Sequence, residues 1–278
     1  VNIPFEVYAF SDSYSRRNEE FLRSHYDTNG YMSDTKIRSY GTVALNRFNL
    51  LNLFSSKMRA KELQEAFIFM MATAHYYTDR YRWDRDVPFI IPDRMNLGGT
   101  PLNSTLFVSF SVMREFQKKN QVDVINSIFL TDGDSHSASN YWISDTEMKR
   151  FDPKDENVII RDSVSKKQIK VERAGGYWRS TRAVTSTLVK FQRDVFDINI
   201  VNFFIMPSMR KYDMMNLMDD YASTNNVPRP SHTDIDGMAR KFRKDKYMIF
   251  PEYCGFNEQY FILGGKNLEV EDTPLEVT

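Results

Sequence analysis

The chain is poor in cysteine and histidine, carries no excess of charge and has no long apolar run. A lone cysteine, Cys254, in 278 residues excludes an intrachain disulfide and a cysteine-based zinc site, and it fits a reducing compartment. The four histidines, His25, His75, His136 and His232, form no His-x-x-x-His or His-Glu-x-x-His pair. Lys and Arg number 37 against 37 Asp and Glu, which argues against a globally basic nucleic-acid binder. No stretch approaches the ~18–20 uncharged apolar residues of a membrane-crossing helix, so no membrane partner is expected. A Gly-x-Ser-x-Gly elbow is missing, and Gly98-Gly99 and Gly264-Gly265 are too short for a phosphate-binding or dinucleotide loop. No basic and apolar leader of a signal peptide is visible.

What is present is globular. Hydrophobic residues make up 41% and charged residues 27%, and 21 Phe with 15 Tyr imply a substantial core. Ile3 to Phe10 reads at once as a strand, so the chain is expected to be a piece of a longer one. Ser11 to Ser13 reads as a turn, and Arg16 to His25 as a short helix. Leu45, Phe48, Leu51, Leu53 and Phe54 suggest an amphipathic helix after Gly41. Lys61 to Tyr77 is a stronger helix, with Leu63, Ala66, Phe67, Met70 and Ala74 at helical spacing. Phe89 to Ile91 suggests a short strand.

In Leu97-Gly98-Gly99-Thr100-Pro101-Leu102, Thr100 reads as an N-cap and Pro101 as the first residue of a helix reaching about Lys118. A strand centred on Ile128 to Leu130 runs into the loop Thr131-Asp132-Gly133-Asp134. Alternation over 156–172 predicts a β-hairpin turning near Ser163 to Lys167. Ser180 or Thr181 is expected to cap a helix bearing Val184, Leu188, Phe191 and Val195. Ile198 to Met206 reads as a buried strand, Tyr212 to Tyr221 as a Met-rich helix and Asp236 to Lys244 as a basic one. Tyr247 to Phe250 and Tyr260 to Leu263 read as strands. Strand–helix alternation over 97–221 points to an α/β fold with a mostly parallel central sheet. Ligands of such sheets bind beyond the carboxyl ends of the strands, which singles out Asp132 and Asp134 past Leu130, Asp12 past Phe10, and Met206 to Ser208.

Gly98-Gly99-Thr100-Pro101-Leu102, followed about 30 residues on by Asn126-Ser127-Ile128-Phe129-Leu130-Thr131-Asp132-Gly133-Asp134, resembles the von Willebrand factor type A-like family. More narrowly it is similar to the bacterial and phage branch around the cobaltochelatase subunit that works beside an AAA+ ATPase. The resemblance covers about residues 1–222, with the hairpin as an insertion and 223–278 as a C-terminal extension. It implies a doubly wound, Rossmann-like α/β domain and a metal-ion-dependent adhesion site (MIDAS) that binds protein without catalysis. That site has an Asp-x-Ser-x-Ser loop, a Thr ahead of a helix and an Asp in a Thr-Asp-Gly loop. Thr100 matches the second part and Asp132 the third, as ligands of Mg²⁺ (or Mn²⁺ or Ca²⁺), with Asp134 at the partner-binding rim. The first part departs: the chain has no Asp-x-Ser-x-Ser, and Asp12-Ser13-Tyr14-Ser15 has serines at other offsets. That loop and its strand are expected ahead of Val1. The implied partner is an AAA+ ATPase, and the chain is expected not to be an enzyme.

The same residues admit other readings. Thr100 can be only a cap and Asp132 only a turn residue. Asp132-x-Asp134 after a strand also resembles the haloacid dehalogenase-like phosphatases, with Asp132 as nucleophile and Asp134 as general acid. Lys190 and Asp219-Asp220 are then the nominated partners. Asp132, Asp134 and His136 alternate as metal ligands can. A structural assembly protein, such as a virion component, is a third reading. Cys254 reads as a buried small residue. Arg240 to Lys246 reads as a solvated helix face or a patch for phosphates or an acidic partner, and Met206, Met209, Met214, Met215 and Met218 as core or an adaptable surface.

Overall fold

A computed structural model describes residues 3–12, 41–45, 48–79, 95, 99–135, 140–144, 147–150, 153, 157–172 and 177–265. The chain divides into two compact units. The first holds Val1–Gln121 and Ser135–Asp152, the second Val122–Asp134 and Pro153–Thr278. This division does not fall at the boundary near 222 suggested by the resemblance. The predicted helix over 16–25 and strand over 89–91, and His136, lie outside the described residues.

In the first unit β1 (Glu6–Asp12) pairs antiparallel with β3 (Phe48–Ser55), with a bulge between Val7 and Tyr8. The helix expected over this stretch is therefore a strand. Its Leu and Phe residues fit either period, and hydrogen bonding to β1 decides between them. The short strand β2 (Val43–Ala44) joins β5 (Asn140–Trp142) and β6 (Met148–Arg150) in a small antiparallel sheet. Helix α1 (Ala60–Asp79) packs on β3 through Phe67 and Phe54, with ring centroids 4.8 Å apart. Helix α2 (Leu102–Asn120) buries Leu102, Leu106, Phe110 and Met113 along one stripe. Its last turn is fixed by Lys119, whose ammonium lies 3.0 Å from Glu6.

The second unit is built on a four-stranded sheet in the order β10 (Tyr247–Pro251), β11 (Glu258–Leu263), β9 (Asn199–Met206) and β4 (Asn126–Thr131). β4, β9 and β11 run parallel, and β10 is antiparallel at one edge. The protein is thus mixed α/β with a mostly parallel central sheet. Strands β10 and β11 come from the segment after 222, so that segment completes the sheet. One face carries Phe129, Asn202, Gln259 and Phe250 in register, all buried. That row meets Phe256 and Tyr221.

Helix α3 (Tyr177–Phe196) starts ahead of Ser180 and Thr181, so these two buried residues lie within its first turns and are not its cap. The predicted hairpin is present as β7 (Ile159–Arg161) and β8 (Gln168–Lys170). Its turn closes where the Ser165 N–H donates to the Asp162 carboxylate at 2.7 Å. Helix α4 (Lys211–Asn225) and helix α5 (His232–Asp245) follow β9. Ser231 caps α5, accepting from the Asp234 N–H and bonding the Asp234 carboxylate in return. No helix among the described residues is long and apolar enough to cross a membrane.

The 3-10 turn Tyr253–Gly255 between β10 and β11 packs on α3. Gly255 has φ +82°, and a Cβ there would stand 2.6 Å from the Ser186 carbonyl oxygen. Gly237, inside α5, has nothing within 4 Å of the same built position. Gly255→Ala is therefore expected to cost about 2 kcal/mol or more in urea unfolding. Gly237→Ala is expected to stabilise by roughly 0.5–1 kcal/mol, because only backbone entropy changes there.

Candidate functional site

The parallel strands end at one edge of the sheet, and β4 delivers Thr131-Asp132-Gly133-Asp134 to it. Thr131 is buried, and its hydroxyl has no hydrogen-bond partner among the described residues. Asp132 is exposed, and no cation among the described residues pairs with it. Asp134, two residues on, is held. The Arg182 Nε and Nη2 groups donate to its Oδ2 at 3.2 and 2.7 Å.

Arg182 has a second partner. Its Nη1 donates to Asp220 Oδ2 at 2.9 Å, and the Tyr253 hydroxyl donates to the same oxygen at 2.7 Å. Four stretches meet here: the loop after β4, helix α3, helix α4 and the turn between β10 and β11. The guanidinium is about a third exposed. Burial works against its charge, but Tyr253, Asp134 and Asp220 outweigh that and raise its pKa. Burial also pushes the Tyr253 hydroxyl well up, and pushes the Cys254 thiol up to about 12 against the opposing pull of Arg182. Cys254 is buried and is not a nucleophile at neutral pH.

Thr100 belongs to the first unit, Asp132 and Asp134 to the second. Thr100 is buried, and its carbonyl accepts from the Leu102 N–H at 2.9 Å. The residue at the cap of α2 is Pro101, not Thr100, and no side chain caps the helix there. Instead the Ser135 hydroxyl accepts from the Asn103 N–H at 3.1 Å. Proline carries no side-chain acceptor, so the Asn103 N–H of the first turn is met from another segment.

The other nominated groups have their own partners. Lys190 lies 3.4 Å from Glu172, Asp219 lies 3.5 Å from Arg229, and Asp220 faces Arg182. No group of three His, Cys, Asp or Glu side chains gathers among the described residues. A cation at this edge would therefore draw on hydroxyls, one free carboxylate and water. That all-oxygen, water-rich set fits Mg²⁺, which takes about six oxygens and keeps several waters.

Sequence reasoning missed Arg182 and Tyr253. The available clue was an arginine flanked by Thr181 and Ala183 on a helix whose next two turns are almost wholly buried. A cation so placed needs an anion. Comparison with protein-family models, with curated proteins and with solved structures finds no match for this chain.

Two outcomes follow from this geometry. Arg182→Ala leaves Asp134 and Asp220 without their shared cation. It is expected to cost about 1–3 kcal/mol in urea unfolding, less than a fully buried pair because solvent reaches the guanidinium. A pH dependence arises at Cys254 and Tyr253. Their pKa values are raised on folding, so their contribution is complete below pH about 9 and is lost as pH rises towards 12. The urea midpoint is expected to fall between about pH 8.5 and about pH 11, and the fall is expected to be shallower in Cys254→Ala.

Proposed function

We propose that the chain is a protein-binding module of the von Willebrand factor type A-like kind that captures its partner through a divalent cation. The observation that carries this is the pairing pattern of the loop after β4: Asp134 is committed to Arg182, while Asp132 is exposed and unpaired among the described residues. A carboxylate in that position, at the carboxyl end of a parallel strand, is available to a ligand. The motif order adds Thr100 as the hydroxyl ligand. Asp132 contributes directly or through water, and Asp134 shapes the rim as a positioning residue for the loop. The cation is Mg²⁺, with Mn²⁺ or Ca²⁺ as substitutes. Bound there, it supplies an electrophilic position that accepts a carboxylate from the partner.

Among the described residues β4 is hydrogen-bonded along one edge only. In the resembling family the strand that carries Asp-x-Ser-x-Ser belongs in the sheet's centre, and this free edge is compatible with it. The partner class implied by the resemblance is an AAA+ ATPase. A lone buried cysteine is in keeping with a cytoplasmic setting.

The test is direct. Isothermal titration with Mn²⁺ is expected to give saturable binding that Asp132→Ala abolishes and Thr100→Ala weakens about tenfold, with EDTA releasing any captured AAA+ partner. p-Nitrophenyl phosphate is expected to be left intact. Turnover of that ester, lost in Asp132→Asn, would replace this reading with a phosphatase. Partner contacts that survive both EDTA and Asp132→Ala would replace it with a structural assembly role.

A further inference from the structure

A second locus lies at the same sheet edge, away from the loop after β4. β9 and β11 end side by side, with Met206 opposite Leu263. Beyond them a cavity of about 480 Å³ opens. Pro207, Met209 and Leu263 give it an apolar wall, and Arg210, Lys211 and Arg243 bring three cations to it. Its size is within the range of small-molecule sites, about 300–1,000 Å³.

The cations are only partly satisfied. Lys211 is paired with Asp236 at 2.8 Å. The Arg243 guanidinium gives its Nε–H to the Ala239 carbonyl at 3.2 Å, and the bond made by Arg210 uses its backbone N–H, to Asp213. No carboxylate among the described residues is within ion-pairing distance of either guanidinium. In a chain with balanced charge, two arginines with no carboxylate partner among the described residues line one apolar-walled cavity. Arg210 and Lys211 also stand at the start of α4, the end where the helix dipole disfavours cations. Asp236 offsets that cost for Lys211, whereas Arg210 has no carboxylate partner among the described residues, and such broken local rules gather at functional positions.

We infer that this cavity binds a small organic phosphate. Two guanidinium forks can share the three oxygens of a phosphoryl group, whereas a carboxylate offers one fork's worth of acceptors. The body of the ligand then lies against Met209, Pro207 and Leu263. The site is separate from the cation site proposed above and does not rest on it.

Phenyl phosphate is the probe, titrated into the full chain by calorimetry, with phenol, inorganic phosphate and benzoate as comparisons. Phenyl phosphate is expected to bind saturably and more tightly than inorganic phosphate, and phenol is expected not to bind. Arg243→Gln and Arg210→Gln are each expected to weaken it about tenfold. Lys244→Gln, on the same helix but outside the cavity, is expected to change it less than about twofold. Both arginines are exposed, and circular dichroism of each variant checks that it is folded; either one alone suffices. Absence of saturable binding, an equal loss in Lys244→Gln, or benzoate binding as tightly as phenyl phosphate overturns the inference. Binding retained in Asp132→Ala supports it and separates its fate from that of the metal site.

Discussion

The guanidinium of Arg182 is where the loop edge of the second unit's sheet is fixed. It accepts no substitute of the same geometry, because it must reach Asp134 on one side and Asp220 on the other while Tyr253 donates to Asp220. A lysine is a point charge and cannot fork between two carboxylates in this way. Without a cation, two like charges would face each other across a partly buried space. With it, the loop after β4, two helices and the turn before β11 share one electrostatic anchor. The anchor has a consequence two residues upstream. Asp134 is held, so the backbone that carries Asp132 is held as well, while the Asp132 carboxylate stays in solvent. Ordering a loop in advance removes an entropy cost from any later binding event.

The sheet was legible in the sequence where a strand is both long and apolar. Ile198 to Met206 needs no partner to be read as buried, and β9 runs through it. Tyr247 to Phe250 and Tyr260 to Leu263 were legible as strands. Their membership of the central sheet was not, because pairing partners are a property of tertiary structure. Phe48 to Ser55 shows the opposite failure. Leucines and phenylalanines at mixed spacing satisfy a helical stripe as well as a ribbon, and antiparallel pairing with β1 is what selects the strand. Caps failed for a similar reason. Thr100, Ser180 and Thr181 have the right chemistry to cap, but α2 starts after Pro101 and α3 starts before Ser180.

The candidate site was half legible. Thr131 to Asp134 is recognisable as a loop after a strand, and position alone singles out both aspartates. Their different fates could not be read, since the residue that distinguishes them is 48 positions away in sequence. An ion pair of that separation leaves no local pattern. Gly255 is legible only in retrospect. Its left-handed backbone and its approach to the Ser186 carbonyl depend on how the turn lies against α3.

The sheet edge therefore carries charges of both signs. Among the described residues a carboxylate with no cation partner follows β4, and two guanidiniums with no carboxylate partner, Arg210 after β9 and Arg243 on α5, line the space beside β11. Parallel neighbours are spaced about 4.8 Å apart, so the two loci are separated by roughly 5–10 Å of sheet width, more where the loops diverge. At about 10 Å in water, two unit charges interact by only ~0.4 kcal/mol, and salt at cellular strength reduces that further. A divalent cation at one locus and a phosphate dianion at the other would interact about four times as strongly, roughly a tenfold effect on affinity at low salt that falls to about twofold at cellular salt. Stronger coupling would have to pass through the structure that joins them, and Arg182 is the group in position to carry it. It touches the loop that bears Asp132 and also holds α4 through Asp220, and α4 begins at the arginine cavity. Direct charge coupling fades with salt, so a mutual effect that persists at high salt would report on that ion pair.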